Sequence, residues 1–115
     1  MKFEDMDIWQ RAVGLSTDIY RFSGTIKDFG FRDQITRAGL SIPSNIAESF
    51  ERESIKECTQ FLTYAKASGG ELYTQIIIGK NVGFLDNDTA KAWLSETKAI
   101  TAILGAIIKK RRQFN

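Results

Sequence analysis

Histidine is absent from this chain of 115 residues, and cysteine and proline each occur once. Without histidine the chain can form neither a Ser-His nor a Cys-His nucleophile pair, and an ordinary zinc site is not expected. Cys58 alone cannot form an internal disulfide, which favours a reducing, cytoplasmic environment. We therefore expect no metal and no cofactor that needs these ligands.

Long apolar runs are also absent. No uninterrupted apolar stretch approaches about 18 residues, so no membrane span is expected. The opening residues, Met1 to Asp5, lack the apolar core of a signal peptide. Hydrophobic residues nevertheless make up 43% of the chain, which is enough for a core. The length predicts a single domain over residues 1–115.

Apolar residues recur at helical spacing along the whole chain. The pattern predicts four helices, over residues 7–22, from about 29–32 to 51, 54–81, and from the Asp86 cap to 112. Loops of about three to six residues favour antiparallel neighbours. The predicted fold is therefore all-α, an up-down-up-down four-helix bundle.

Local signals mark three of the helix ends. Gly24 is predicted to end the first helix in the left-handed conformation. Ser54 and Glu57 fit the capping box at the start of the third helix. Asp86 is the expected N-cap of the fourth.

The apolar seams indicate which faces are buried. The third helix has the longest seam, which contains Cys58, Leu62, Ala65, Gly69, Leu72, Ile76 and Gly79. The main seam of the fourth contains Ala90, Trp93, Thr97, Ile100, Leu104 and Ile107. Gly69 and Gly70 lie at the centre of the third helix, where each costs about 1 kcal/mol relative to alanine. We expect a neighbouring helix to approach closely there.

The first helix carries two apolar stripes. One contains Ile8, Leu15 and Ile19, and the other contains Trp9, Val13 and Tyr20. Two stripes exceed what a four-helix monomer can bury, and large exposed apolar patches usually mark interfaces. The pattern therefore predicts a homo-oligomer.

Pro43 lies inside the second predicted helix. An interior proline removes a backbone donor and crowds the carbonyl four residues earlier, at a cost of about 3 kcal/mol. The residue four earlier is Gly39, which leaves room for a bend. We expect this helix to be kinked at Pro43.

A polar stripe follows the same helix. Arg37, Ser41, Asn45 and Glu48 share one face. We interpret them as a structural network with Glu71 and Gln75 of the third helix, because buried polar groups must be paired. The alternative is a hydrolase with Glu48 and Glu71 as acid and base. Nothing in the sequence supplies a substrate pocket or an oxyanion stabiliser, so we expect no enzyme.

The charge distribution is more informative than the net charge of +2. Lys109, Lys110, Arg111 and Arg112 form one basic cluster near the end of the chain. They either complement the dipole of the last helix or bind an anion such as a nucleic-acid backbone. In an oligomer of identical subunits the cluster is repeated, which strengthens the local field that attracts a phosphate backbone.

Several segments resemble one known family. They are Phe3-Glu4-Asp5-Met6-Asp7-Ile8-Trp9-Gln10; Arg37-Ala38-Gly39-Leu40-Ser41-Ile42-Pro43-Ser44-Asn45-Ile46-Ala47-Glu48; Phe61-Leu62, Ala65, Ser68, Glu71-Leu72 and Gln75; and Gly83-Phe84-Leu85. Together they resemble the bacterial four-helix-bundle proteins called 23S rRNA-intervening sequence proteins. Gly39, Ser49 and Ala67 depart from the usual pattern.

The resemblance implies a ring-like homopentamer. A related accessory protein of diversity-generating retroelements has the same barrel and works through nucleic acid and a reverse transcriptase. The leading hypothesis is a cytoplasmic, non-enzymatic oligomer that binds nucleic acid. RNA is the first choice of ligand, and DNA is the second. The alternative is a scaffold that docks a protein partner, such as a reverse transcriptase.

Overall fold

The computed structural model of the protein describes residues 2–113. That part of the chain folds into helices alone: a 3-10 helix Phe3–Asp5, then α1 (Asp7–Ser23), α2 (Phe29–Phe50), α3 (Ile55–Asn81) and α4 (Asn87–Arg112). The predicted all-α fold is confirmed. The helix ends lie within about one residue of their predicted positions, which is the ordinary uncertainty of a helix end.

Side-chain caps explain where three helices begin. The Ser54 hydroxyl accepts a hydrogen bond from the Glu57 backbone N–H at 3.1 Å, and the Asp86 carboxylate accepts one from the Thr89 N–H at 2.7 Å. Asp28 caps α2 in the same way. Each cap satisfies a backbone donor that the first helical turn leaves free.

The prediction for Gly24 is wrong. Its φ of −60° and ψ of −21° are right-handed. The chain leaves α1 through one more right-handed turn, in which the Ile26 N–H donates to the Ser23 carbonyl at 3.0 Å. Ile26 is then buried and anchors the loop. The left-handed glycine is Gly83, with a φ of 85°, after α3.

Consecutive helices pack against each other, and α1 also contacts α4, which closes a four-helix ring. Within residues 2–113, the backbones of diagonal helices lie farther apart than those of neighbours. Ser16 and Ile19 of α1 lie against Gly39 of α2. Phe31, near the start of α2, lies against Gly79, near the end of α3. Such pairings are expected of antiparallel neighbours.

The helix α2 continues without interruption through Pro43. The kink at this residue stays a prediction. Pro43 itself is buried against the bundle.

One continuous core fills the bundle. All seven residues of the predicted α3 seam are buried, as are the first five of the α4 seam. Ile107 is only half-buried, and Ile108 takes the core position in its place. A neighbouring helix approaches closely at Gly69, where a Cβ would overlap Thr101 of α4. It does not do so at Gly70, where a Cβ would have no neighbour within 4 Å.

No helix in the described part of the chain is both long and apolar enough to cross a membrane.

A bidentate ion pair joins α1 to α4. Arg11 donates to both carboxylate oxygens of Glu96, at 2.6 and 3.0 Å. The hydrogen bonds from Arg11 lower the pKa of Glu96 from its ordinary value. Since the folded-state pKa is depressed, this stabilising contribution is present above the unfolded pKa and is lost as the pH falls through the folded pKa.

We therefore expect the thermal midpoint to fall as the pH drops below the ordinary carboxyl value of about 4.3. Glu96→Gln should show a shallower acid loss, because the group no longer titrates. Glu53→Gln, in an exposed loop, is the control and should melt like the native protein at each pH. If the thermal midpoints of Glu96→Gln and the native protein fell in parallel as the pH is lowered, the stabilising role of the Arg11–Glu96 pair would be contradicted.

Candidate nucleic-acid interface

The predicted basic cluster forms the last turn of α4. Lys109, Lys110 and Arg112 are exposed, and Arg111 is half-buried. Cations at this end complement the negative end of the helix dipole. Three of the four remain exposed to solvent, so they are also accessible to an anion.

The end of α4 lies beside the beginning of α3, where a shallow cavity of about 340 Å³ separates the two helices. Its lining is Lys56, Thr59, Gln60, Thr63 and Arg112. Two cations and three uncharged polar side chains surround it, with no carboxylate among them. The charged side chains that line the cavity are therefore all cationic.

The cations of this cavity are not neutralised by ion pairs. Within residues 2–113, the ion pairs are Arg11–Glu96, Arg37–Asp33 and Arg52–Glu48. Lys56 and Arg112 belong to none of them. Within the described residues, neither cation is therefore offset by a carboxylate partner, and both are accessible to an anionic ligand.

Lys56 was not among the predicted site residues. Two signals could have found it. The capping box at Ser54 places Lys56 in the first turn of α3. Antiparallel packing then brings that turn to the end of α4, next to Arg112.

The predicted polar stripe divides into separate contacts. Ser41 and Ser68 share a hydrogen bond of 2.8 Å that links α2 to α3. The Asn45 amide donates to the Ser41 carbonyl and hydroxyl, both at 2.9 Å. Arg37, by contrast, is exposed and donates to Asp33 on its own helix. The structure brings Ser41 and Asn45 together and leaves Arg37 outside.

The acidic members of the stripe also lie apart. Glu48 is paired with Arg52, and Glu71 is exposed. Gln75 is half-buried, and its side-chain oxygen has no hydrogen-bond partner within the described residues. Nothing in these contacts joins Glu48 to Glu71 as an acid and base.

Cys58 is a free, buried thiol on the α3 seam. It packs in the hydrophobic core, as expected of a small apolar side chain. Within residues 2–113 no group of three acidic or cysteine side chains could hold a metal ion.

Arg37→Met is accordingly expected to fold and assemble like the native protein. The pair with Asp33 spans one helical turn, and both side chains are more than half exposed. Such pairs contribute about 0.2–0.5 kcal/mol. A thermal melt should show at most a small shift. A large loss would instead indicate that Arg37 is buried in a complex of several chains.

Residues 4–106 match the sequence profile of the family described as 23S rRNA-intervening sequence protein. The chain belongs to this family. The match spans all four helices except the last six residues of α4, so the basic cluster lies just beyond the shared segment.

A solved structure from Bacteroides thetaiotaomicron, described as a protein with unknown function from the S23 ribosomal protein family, has the same fold. Its TM-score to the chain is 0.86 at 20% sequence identity, and the alignment covers 89% of this chain and 98% of that one. At this identity the likeness shows the fold alone. No curated protein matches the chain.

Three positions are predicted to depart from the pattern usual in the 23S rRNA-intervening sequence family, and the structure shows where each one lies. Ser49 is buried and donates to the Ile46 carbonyl at 2.6 Å. A Cβ on Gly39 would lie 3.1 Å from the Ile19 side chain, and Ala67 is exposed. The first two departures affect helix packing, and none of the three lies at the basic end of α4.

Proposed function

We propose that the protein is a cytoplasmic, non-enzymatic homo-oligomer that binds nucleic acid. Its cations contact the charged phosphate backbone of the nucleic acid, and RNA is the preferred candidate. The contact residues in each chain are Lys109, Lys110, Arg111 and Arg112. The observation that carries the proposal is the cavity that Arg112 shares with Lys56, which has cations and no carboxylate. Exposed cations without an ion-pair partner are those that can replace the counterions of a phosphate backbone.

The oligomer is supported by the groove between α1 and α2. Its lining is Val13, Ser16, Thr17, Tyr20, Leu40 and Pro43, with no charged side chain. Tyr20 is 50% exposed and Leu40 is 47% exposed. Val13 and Tyr20 belong to the second apolar stripe of the first helix. A groove of this composition is typical of a surface that another protein chain covers.

The number of subunits rests on the family resemblance, which implies five. In a ring, each basic cluster is repeated around the axis, and the fields of neighbouring clusters add. Within one bundle, each helix contacts the next along the chain, and α4 contacts α1. The α1–α2 groove and the α3–α4 side therefore lie on opposite sides of the bundle. One edge can therefore assemble the ring while the other stays accessible.

Leu40→Glu is expected to dissociate the oligomer without unfolding the bundle. A carboxylate buried in an apolar interface without a partner is strongly unfavourable. Light scattering should give a mass of several chains for the native protein and of a single chain for Leu40→Glu, at equal helicity by circular dichroism. The matched control is Ile78→Glu on α3, which is 49% exposed in the native protein.

A native protein that is monomeric at micromolar concentration would refute the oligomer. An unchanged mass for Leu40→Glu, together with dissociation of Ile78→Glu, would place the interface on α3 instead.

The test of nucleic-acid binding is fluorescence anisotropy of labelled oligo-uridylate titrated with the native protein at low salt. We expect binding that weakens steeply as salt is added, because counterion release drives it. Failure to bind RNA or DNA at low salt would contradict the proposal.

A protein-docking scaffold is the second candidate. Phe29 and Val82 are 74% and 57% exposed, at the end of the bundle where α2 begins and α3 ends. This end lies opposite the basic cluster. Salt-insensitive capture of a partner such as a reverse transcriptase would favour this function. Capture should be lost in Phe29→Ser and kept when Lys109, Lys110, Arg111 and Arg112 are all replaced by glutamine.

A further inference from the structure

A second cavity opens on the same side of the bundle, about midway along α3 and α4. Its volume is about 450 Å³, and its lining is Lys66, Gly69, Gly70, Tyr73, Lys98 and Thr101. Again two cations face the space, one from each helix. No carboxylate lines this cavity either.

Cations without carboxylates set this side of the bundle apart. The cavity beside the start of α2 contains Asp33 together with Arg32, and the cavity between α1 and α4 contains Asp18 together with Arg21. In those cavities the opposite charges offset each other. Within residues 2–113, neither Lys66 nor Lys98 takes part in an ion pair.

The two cavities lie on one face of the bundle, between α3 and α4, and we call this face the groove. The end of the Lys66 side chain lies 3.6 Å from the place a Cβ on Gly105 would occupy, between the two cavities. From Lys56 to Tyr73 the groove follows α3 for about 25 Å, at about 1.5 Å per residue. Lys98, Gly105 and Arg112 recur every seven residues, so they share the face of α4 that borders it.

The floor of the groove combines an aromatic ring with open space. Tyr73 is half-buried there, and Gly70 beside it has nothing within 4 Å of a hypothetical Cβ. Gly69 is explained by its contact with Thr101, but no packing contact explains Gly70. An aromatic face among unpaired cations is the composition of sites that bind single-stranded nucleic acid.

We propose that the groove between α3 and α4 is the track along which one strand of nucleic acid binds. Lys66 and Lys98 contact its phosphates at the centre, and Lys56 and Arg112 contact them at the end. Tyr73 stacks against a base, and Gly70 leaves the space that the strand occupies. The inference rests on the proposed function and assigns it a site that extends beyond the basic end of α4.

The first test neutralises the centre of the groove. Lys66→Gln with Lys98→Gln should flatten the salt dependence of oligo-uridylate binding by about 1.4 in log–log slope, since each contact with a single strand contributes about 0.7. Lys2→Gln with Lys27→Gln is the charge-matched control, because both lysines are exposed and neither lines the two cavities. The control should keep a slope closer to that of the native protein.

The second test fills the groove without changing its charge. Gly70→Leu should weaken oligo-uridylate binding about tenfold, a loss comparable to that of one stacked base. Gly14→Leu is the matched control: Gly14 is also an exposed helical glycine with nothing within 4 Å, and it lies on α1. Helicity and mass should match the native protein in both variants.

Two outcomes would refute the groove as the binding site for the strand, although the protein would still bind nucleic acid. In one, both groove variants bind as tightly as the native protein while substitution of the Lys109–Arg112 cluster abolishes binding. In the other, Gly70→Leu changes the oligomeric mass, which would make the groove a contact between chains. Absence of binding by the native protein would instead refute the proposed function itself.

Discussion

Gly69→Leu is expected to lower the free energy of unfolding by about 1–3 kcal/mol, the usual cost of overpacking a close contact. Gly69 is buried on the α3 seam, and a Cβ there would overlap the side-chain methyl of Thr101 on α4. The methyl is bonded directly to the Thr101 Cβ, so it can give way only if Thr101 changes rotamer or the two helices move apart. Thermal and urea melts followed by circular dichroism should show an earlier transition.

The neighbouring residue supplies the control. Gly70→Leu should be as stable as the native protein or up to about 1 kcal/mol more stable, because leucine is a better helix former and meets no neighbour. A double variant gives a further check. Gly69→Ala combined with Thr101→Ala should be more stable than Gly69→Ala alone, because the Thr101 methyl that the new Cβ would overlap is gone. Equal melting of the two leucine variants would refute the close approach of α3 and α4.

Replacing Lys109, Lys110, Arg111 and Arg112 together by glutamine is expected to cause the largest loss of nucleic-acid binding. If all four contact phosphates, the log–log salt slope flattens by about 2.8 for each bound chain. Helicity and mass should be retained, because three of the four side chains are exposed at the helix end.

The control for this variant removes equal charge elsewhere. Lys2, Arg21, Lys27 and Lys80 are all exposed, so replacing these four by glutamine changes the net charge by the same amount. The control should bind more tightly than the Lys109–Arg112 variant. Equal binding by the two variants would mean that only net charge matters, and the basic end would then have no role beyond completing its helix.

Periodicity and capping were sufficient to predict the helices. The α3 seam was predicted completely because its apolar residues alternate by three and four over the whole helix, and burial follows that spacing directly. Ser54 and Asp86 acted as caps because their hydrogen bonds are local. The conformation of Gly24 could not be predicted, because the burial of Ile26 decides how the chain leaves α1.

The candidate sites were harder to predict, for two physical reasons. Long charged side chains pair first with residues one turn away, so Arg37 reaches Asp33 and Glu48 reaches Arg52 before either reaches α3. Periodicity also does not fix how two helices are rotated about their axes. The proximity of Lys66 to Lys98 across the α3–α4 groove therefore became visible only in the folded chain.

The salt dependence of oligo-uridylate binding by the native protein tests the central claim most directly. The slope of log affinity against log salt, divided by about 0.7, counts the phosphates contacted on a single strand. Since the basic end and the groove both contribute, the account predicts a slope steeper than about −2.8, which corresponds to more than four contacts. A slope of about −2.8 or shallower, or no binding at low salt, would contradict it.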